Sequence, residues 1–153
     1  MRKKAFTLIE VLLVIGIIVL LAGAIVVAIN PARQFQKTRN TQRTTDVSQI
    51  RSAIVQVQID NQGRWICPSS ANYQTSLPTN TTFIIATGTE AAGQINLSCL
   101  VPNYLPRLPR DPLQDSNATD TRYTVRINEN EGGRLEVCAP DTEPQGSSQI
   151  CSK

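Results

Sequence analysis

Hydrophobic and polar positions divide the chain into three regimes. Residues 11–29 hold no charged side chain, and at ~1.5 Å per helical residue such a run covers roughly the ~30 Å hydrocarbon core of a bilayer. Residues 34–59 are polar overall, yet Val47, Ile50, Ala53, Ile54 and Val57 recur at three- and four-residue steps. That spacing is one apolar stripe on a helix, and the stripe needs a sheet to cover it. Late in the chain the period falls to two: Tyr123, Val125 and Ile127 alternate with Thr124, Arg126 and Asn128. After a turn at Glu131-Gly132-Gly133, Leu135 and Val137 alternate with Glu136 and Cys138, which predicts a hairpin. The pattern therefore predicts an α+β protein: a long N-terminal helix, half in a membrane and half packed on a small antiparallel sheet of about three strands.

Breakers set the boundaries. Asn30-Pro31 follows the apolar run directly, and proline removes a backbone donor while clashing with the carbonyl four residues earlier, so a kink or short break is predicted there. Asp60-Asn61-Gln62-Gly63 closes the second helix, with Gly63 as the expected left-handed cap. Residues 69–93 are rich in Thr, Ser and Asn around one apolar island at 83–86, which predicts a surface loop with one short strand. Residues 102–112 contain four prolines and read as a connector, not helix or central strand. The resulting division is 1–5, 6–29, 30–64 and a head at 65–153. Glu136 and Arg126 are expected to face one another on the solvent side of the hairpin.

Composition narrows the function. The net charge is +3 with no histidine, and Arg2, Lys3 and Lys4 account for the excess. A near-neutral remainder argues against a nucleic-acid surface. Without histidine the commonest general base and metal ligand are missing, and no nucleophile pair stands out, so an enzyme is disfavoured. Six basic residues lie between Arg33 and Arg64 against two acidic ones. A solvated helix face is the plain reading; contacts of Arg33 and Lys37 with lipid head groups, and bridges to neighbouring subunits, are the others. The four cysteines lack close ligand pairs for zinc, and an even count after the apolar run points to two disulfides in an oxidising compartment. Proximity favours Cys138–Cys151, leaving Cys67–Cys99, although four cysteines allow three connectivities. Acceptor patterns for glycosylation begin at Asn80, Asn96 and Asn117, and such triplets arise easily in a Thr- and Asn-rich chain.

The N-terminal segment has four readings. It can anchor the chain, serve as a secretory signal cut after Ala22-Gly23-Ala24, or form a buried core helix. None of these explains Glu10, a carboxylate that costs about 1–3 kcal/mol near the end of a membrane helix. In the fourth, Lys3-Lys4-Ala5-Phe6-Thr7-Leu8-Ile9-Glu10-Val11 resembles the leader junction of type IV pilins and type II secretion pseudopilins. The resemblance implies cleavage between Ala5 and Phe6 by a prepilin peptidase, N-methylation of Phe6, and a role for Glu10 in filament assembly. There Glu10 would meet the α-amino group of Phe6 on a neighbouring subunit; the simpler pairing is with the amino group of its own chain. Ala5 stands where the family usually has glycine.

Two further stretches are similar to that family: Asn61-Gln62-Gly63-Arg64-Trp65, and the segment from Tyr104-Leu105 to Leu108-Pro109-Arg110-Asp111-Pro112. In major pseudopilins the loop after the second can bind calcium, which makes Asp111, Asp115 and Asp120 candidate ligands against the plainer reading of solvated turns. Leu113-Gln114 replaces the Trp-Gly usual there. The implied partners are further copies of the chain in a homo-oligomeric filament, an inner-membrane assembly platform and a cytoplasmic ATPase. The implied location is the membrane, then a pilus or periplasmic pseudopilus. The rival is a membrane-anchored extracytoplasmic binding protein that never polymerises.

Overall fold

A computed structural model describes residues 6–68, 73–74, 76–88, 91–115 and 118–152, with the backbone alone for 26–29, 68 and 73–74. The leader with Ala5, residues 69–72 and Asn117 lie outside the described residues. The chain forms two compact units, Met1–Lys37 and Thr38–Lys153.

In the first unit, α1 (Leu8–Ile29) opens at Thr7, whose extended backbone and side-chain oxygen cap the helix by accepting the Glu10 N–H at 3.3 Å. Asn30 then adopts a left-handed conformation (φ 49°) that ends α1, and its side-chain oxygen accepts from Arg33 N–H at 3.4 Å to begin α2 (Pro31–Asp60). Proline as the first residue of α2 loses no helical hydrogen bond, because that N–H would be an orphan anyway. The predicted break at Asn30-Pro31 is thus a single residue that caps both helices.

In the second unit, α2 buries Val47, Ile50, Ala53, Ile54 and Val57, the stripe read from the sequence. The same face continues toward the N-terminus as Arg43 and Asp46, both buried, so the helix turns charges as well as hydrocarbon inward. The helix ends in a Schellman motif: Gly63 N–H donates to the Gln58 carbonyl at 2.7 Å and Gln62 N–H to that of Ile59 at 3.2 Å. The left-handed cap is consequently Gln62 (φ 57°), one residue before the glycine expected to serve, although Gly63 also has positive φ.

The sheet is larger than expected, and mixed. A five-stranded sheet has the order β4-β3-β5-β6-β7, where β3 is Phe83–Ala86, β4 Gln94–Asn96, β5 Asp120–Asn128, β6 Arg134–Ala139 and β7 Ile150–Ser152; β1 (Cys67–Pro68) and β2 (Tyr73–Gln74) form a separate antiparallel pair. The β5–β6 hairpin has the predicted alternation on β5, and β3 matches the apolar island. Two strands escaped notice because they are three residues long, too short to display a period. The parallel pairing of β3 with β4 corrects the all-antiparallel expectation. Parallel neighbours usually need a crossover of a dozen residues, but strands this short require a return of only about 10 Å, which residues 87–93 cover. Ile85, Ile95, Tyr123, Val125, Val137 and Ala139 from the sheet join the α2 stripe, Trp65 and Leu100 in one core.

Glu136 was expected at the solvent. It does stand opposite Arg126, with Arg126 Nε 2.7 Å from its carboxylate, yet its side chain is only 1% exposed. β6 lies between β5 and β7, and the Cys138–Cys151 disulfide joins directly paired residues two positions along the same face. Leu135–Ala139 are buried without a break, so both faces of β6 are covered, and the ion pair is half-buried.

Gln62 supplies a test of the fold. An L-residue in the left-handed region costs about 1–2 kcal/mol, part of which glycine returns to the unfolded chain as entropy. Gln62→Gly is expected to raise stability by up to about 1 kcal/mol, measured as the midpoint of urea unfolding with an unchanged slope.

Candidate functional site

Glu10 lies in the first turn of α1, three residues after the Thr7 cap, with Phe6 exposed ahead of it. The Thr-x-x-Glu spacing is that of a capping box, and a carboxylate near a helix N-terminus is favoured by the unpaired amides there. All of Leu8–Ile25 is solvent-exposed in the isolated chain, and the segment is long and apolar enough to cross a membrane. Phe6, Thr7 and Glu10 thus stand together at one end of an uncovered apolar rod. The sequence reading missed Thr7, although the four-residue signature was visible.

A second constellation is built around Arg43 in the head. Its Nε and Nη2 donate to the two oxygens of Asp111 at 2.6 and 3.1 Å, and both side chains are essentially inaccessible. Nη1 reaches Asn40 Oδ1 at 2.9 Å and Glu143 at 3.2 Å. Glu143 in turn accepts two hydrogen bonds from Arg39, at 2.5 and 2.7 Å. Its backbone is clasped by Asn40, which donates to the Glu143 carbonyl and accepts from its N–H. Asp46, one helical turn from Arg43, accepts from the Tyr123 hydroxyl at 2.7 Å. The helix spacing 39, 40, 43, 46 therefore gathers the proline connector, the loop between Cys138 and Cys151, and strand β5.

Titration follows from these contacts. The hydrogen bonds from Arg39 hold the Glu143 carboxyl below its ordinary 4.5, with Arg43 adding to the effect. Burial pushes the Asp46 carboxyl up, against the hydrogen bond from Tyr123. Burial, then the Asp46 bond, push the Tyr123 phenol well above its ordinary 10.0. The Asp111 bond is the main cause holding the Arg43 guanidinium more firmly protonated than usual.

The calcium candidates are dispersed. Both oxygens of Asp111 are engaged by Arg43, and Oδ1 also accepts from Leu113 N–H at 2.9 Å. Asp120 accepts from the Gln114 amide and from Arg122 N–H. Asp115 is exposed. Among the described residues no group of three His, Cys, Asp or Glu side chains is close enough to hold a metal ion. The disulfides join Cys67 to Cys99 and Cys138 to Cys151, with Cα separations of 5.5 and 4.1 Å.

Residues 1–26 match the family model described as the prokaryotic N-terminal methylation motif. This is the prepilin cleavage motif of type IV pilins and pseudopilins, and the chain is similar to those proteins in that segment. No curated protein and no solved structure matches the chain.

Breaking a buried ion pair by removing one partner costs about 3–5 kcal/mol, because the other charge is left uncompensated. Arg43→Met is therefore expected to lose that much stability in chemical unfolding, and Arg43→Lys most of it, since an ammonium cannot repeat the fork. The carboxyls also shape the acid response. Glu143, with its folded pKa depressed, contributes stability that is present above about pH 4.5 and lost as pH falls through the lowered value. Asp46, with its folded pKa raised, works oppositely and costs stability as pH rises above its ordinary 3.8. Glu143→Gln should therefore show a shallower loss of stability below pH 4.5 in thermal unfolding across pH, and Asp46→Asn a steeper one.

Proposed function

We infer that the chain is a structural subunit, cut between Ala5 and Phe6, N-methylated at Phe6, held in the membrane by residues 6–29 and polymerised into a helical filament. The prepilin peptidase would process it, and an assembly platform with a cytoplasmic ATPase would drive its polymerisation into a pilus or secretion pseudopilus. The observation that carries this reading is Glu10, a carboxylate in the first turn of an otherwise apolar helix, within a segment that matches the methylation motif. An anchor alone gains nothing from it. In a filament, the same rod would bury its apolar surface against copies of itself, with no lipid to favour separation.

The pairing logic is electrostatic. Cleavage after Ala5 would create an ammonium at Phe6, one residue ahead of the Thr7 cap and so at the same end of α1 as Glu10. Two opposite charges in low dielectric attract strongly, and each alone is penalised. Pairing between neighbouring subunits would fix their axial offset; pairing within one subunit would hold the charge neutral until then.

Mass spectrometry of the mature protein should find N-methylated Phe6 as its first residue, whereas an N-terminus at Ile25 would mean ordinary signal cleavage. Glu10→Val should leave membrane insertion intact and reduce incorporation into sheared filaments, as counted by electron microscopy. Equal filament yield from the variant would remove the basis for pairing, and the absence of filaments from the native chain would favour a non-polymerising anchored protein.

A further inference from the structure

The head has a cleft of about 780 Å³ between α2 and the proline connector, lined by Gln42, Asp46, Gln49, Thr87, Arg107 and Arg110 among others. Arg107 is exposed and makes no ion pair within 4 Å among the described residues. Arg110 reaches the Thr87 hydroxyl at 3.3 Å. Asp46 offsets one of these two charges: Arg107 acts electrostatically on its carboxylate, which also accepts from Tyr123. The mouth of the cleft is thus cationic, with rigid prolines at 106 and 109 on one side.

The opposite sign is found at the far end of the same strand. Thr87 N–H donates to the Thr119 carbonyl and Asp111 N–H to that of Thr121, so the cleft adjoins the start of β5. At the end of β5 the chain turns through Glu129, Asn130 and Glu131, all exposed, before Gly132 and Gly133 carry it back with positive φ. Asn80 pins this turn by donating to the Glu129 carboxylate at 3.0 Å and accepting its N–H at 3.1 Å. Arg134 follows the turn, leaving it acidic by one charge against a cleft basic by one. Nine strand residues at ~3.3 Å each separate the two ends by roughly 25–30 Å.

We propose that the acidic turn at Glu129–Glu131 of one copy docks in the Arg107/Arg110 cleft of a second copy of this chain. The two surfaces are different and lie at opposite ends of the head. Their contact is heterologous, and repeated without closure it generates an open helix, not a dimer. The contact rests on the filament reading and adds to it a head-to-tail register independent of the membrane rod. Charged contacts at such a rim steer and orient more than they hold, so the register would be sensitive to salt.

The test uses full-length protein in membranes or sheared filaments. Arg107→Lys keeps the charge and supplies an amine, so a zero-length carbodiimide should link position 107 to Glu129 or Glu131. Mixing isotopically light and heavy protein shows whether the link joins two copies. The expected result is a mixed-isotope peptide pair, reduced about tenfold or more when Arg110→Glu is added to Arg107→Lys, and a link restored with reversed polarity when Arg107→Glu/Arg110→Glu protein is mixed with Glu129→Lys/Glu131→Lys protein. Circular dichroism and intact disulfides establish that each variant is folded. Links confined to one copy, links to other carboxylates only, or no restoration in the mixture would overturn the proposal. Glu10-dependent filaments lacking the 107 link would refute this contact while leaving the filament reading in place. The link forming between copies without filaments would do the reverse.

Discussion

The head depends on one buried cation. A guanidinium taken out of water is tolerated only if its donors are met by acceptors of opposite charge, and Arg43 meets two carboxylates from segments far apart in sequence. Asp111 lies in the proline connector and Glu143 in the loop closed by Cys138–Cys151. The connector lies outside the sheet and buries Leu105 and Leu108 in the core, whereas residues 140–149 of the loop offer it no Leu, Ile, Val or aromatic side chain; for both segments the ion pairs add a directional restraint. Their positions on α2 are set by hydrogen-bond geometry. Because Asp111 is bidentate and Glu143 is also gripped by Arg39 and Asn40, a shift of either loop would strand a charge.

Covalent and ionic restraints divide the work. Cys67–Cys99 ties the chain just after α2 to the segment that precedes the connector, and Cys138–Cys151 closes the final loop. A disulfide of such loop length stabilises chiefly by limiting the unfolded chain, by a few kcal/mol. It leaves a loop free to choose among folded conformations, and the Arg43 network makes that choice. The cleft beside Asp46 is one consequence: its connector wall is anchored through Asp111, so Arg107 and Arg110 are held in place by a bond that neither of them makes.

Legibility from sequence followed the number of residues that share a period. The α2 stripe and the alternation on β5 span several repeats, and both stood out. β4 and β7 have three residues each, and their partners alone decide that they are strands. Arg43 and Asp46 continue the apolar stripe at its own spacing, yet charged side chains at such positions are read as solvent-facing unless a partner is known, and Asp111 and Glu143 lie distant in the chain. Glu136 was misplaced for a related reason: alternation identifies two faces of a strand but not which are covered. At the N-terminus the opposite held. Phe6 and Glu10 lie within five residues of one another, and a local motif needs no tertiary contact to be legible, although the Thr7 cap between them went unread.

Glu10 is suited to two environments by different means. At the end of an isolated α1, the capped first turn offers it unpaired amides and the positive end of the helix dipole, so its charge is acceptable near the head groups without any partner. That support falls off within the first turn. Drawn deeper, among other apolar helices, the carboxylate would lose water and keep only the amides, which cannot replace full hydration of an ion. A fixed ammonium is then the partner that restores the balance, and cleavage before Phe6 would place one on every copy. The same residue that is indifferent to company in the membrane would thus be selective about register in a packed bundle, where the nearest ammonium belongs to whichever neighbour stands at the right height.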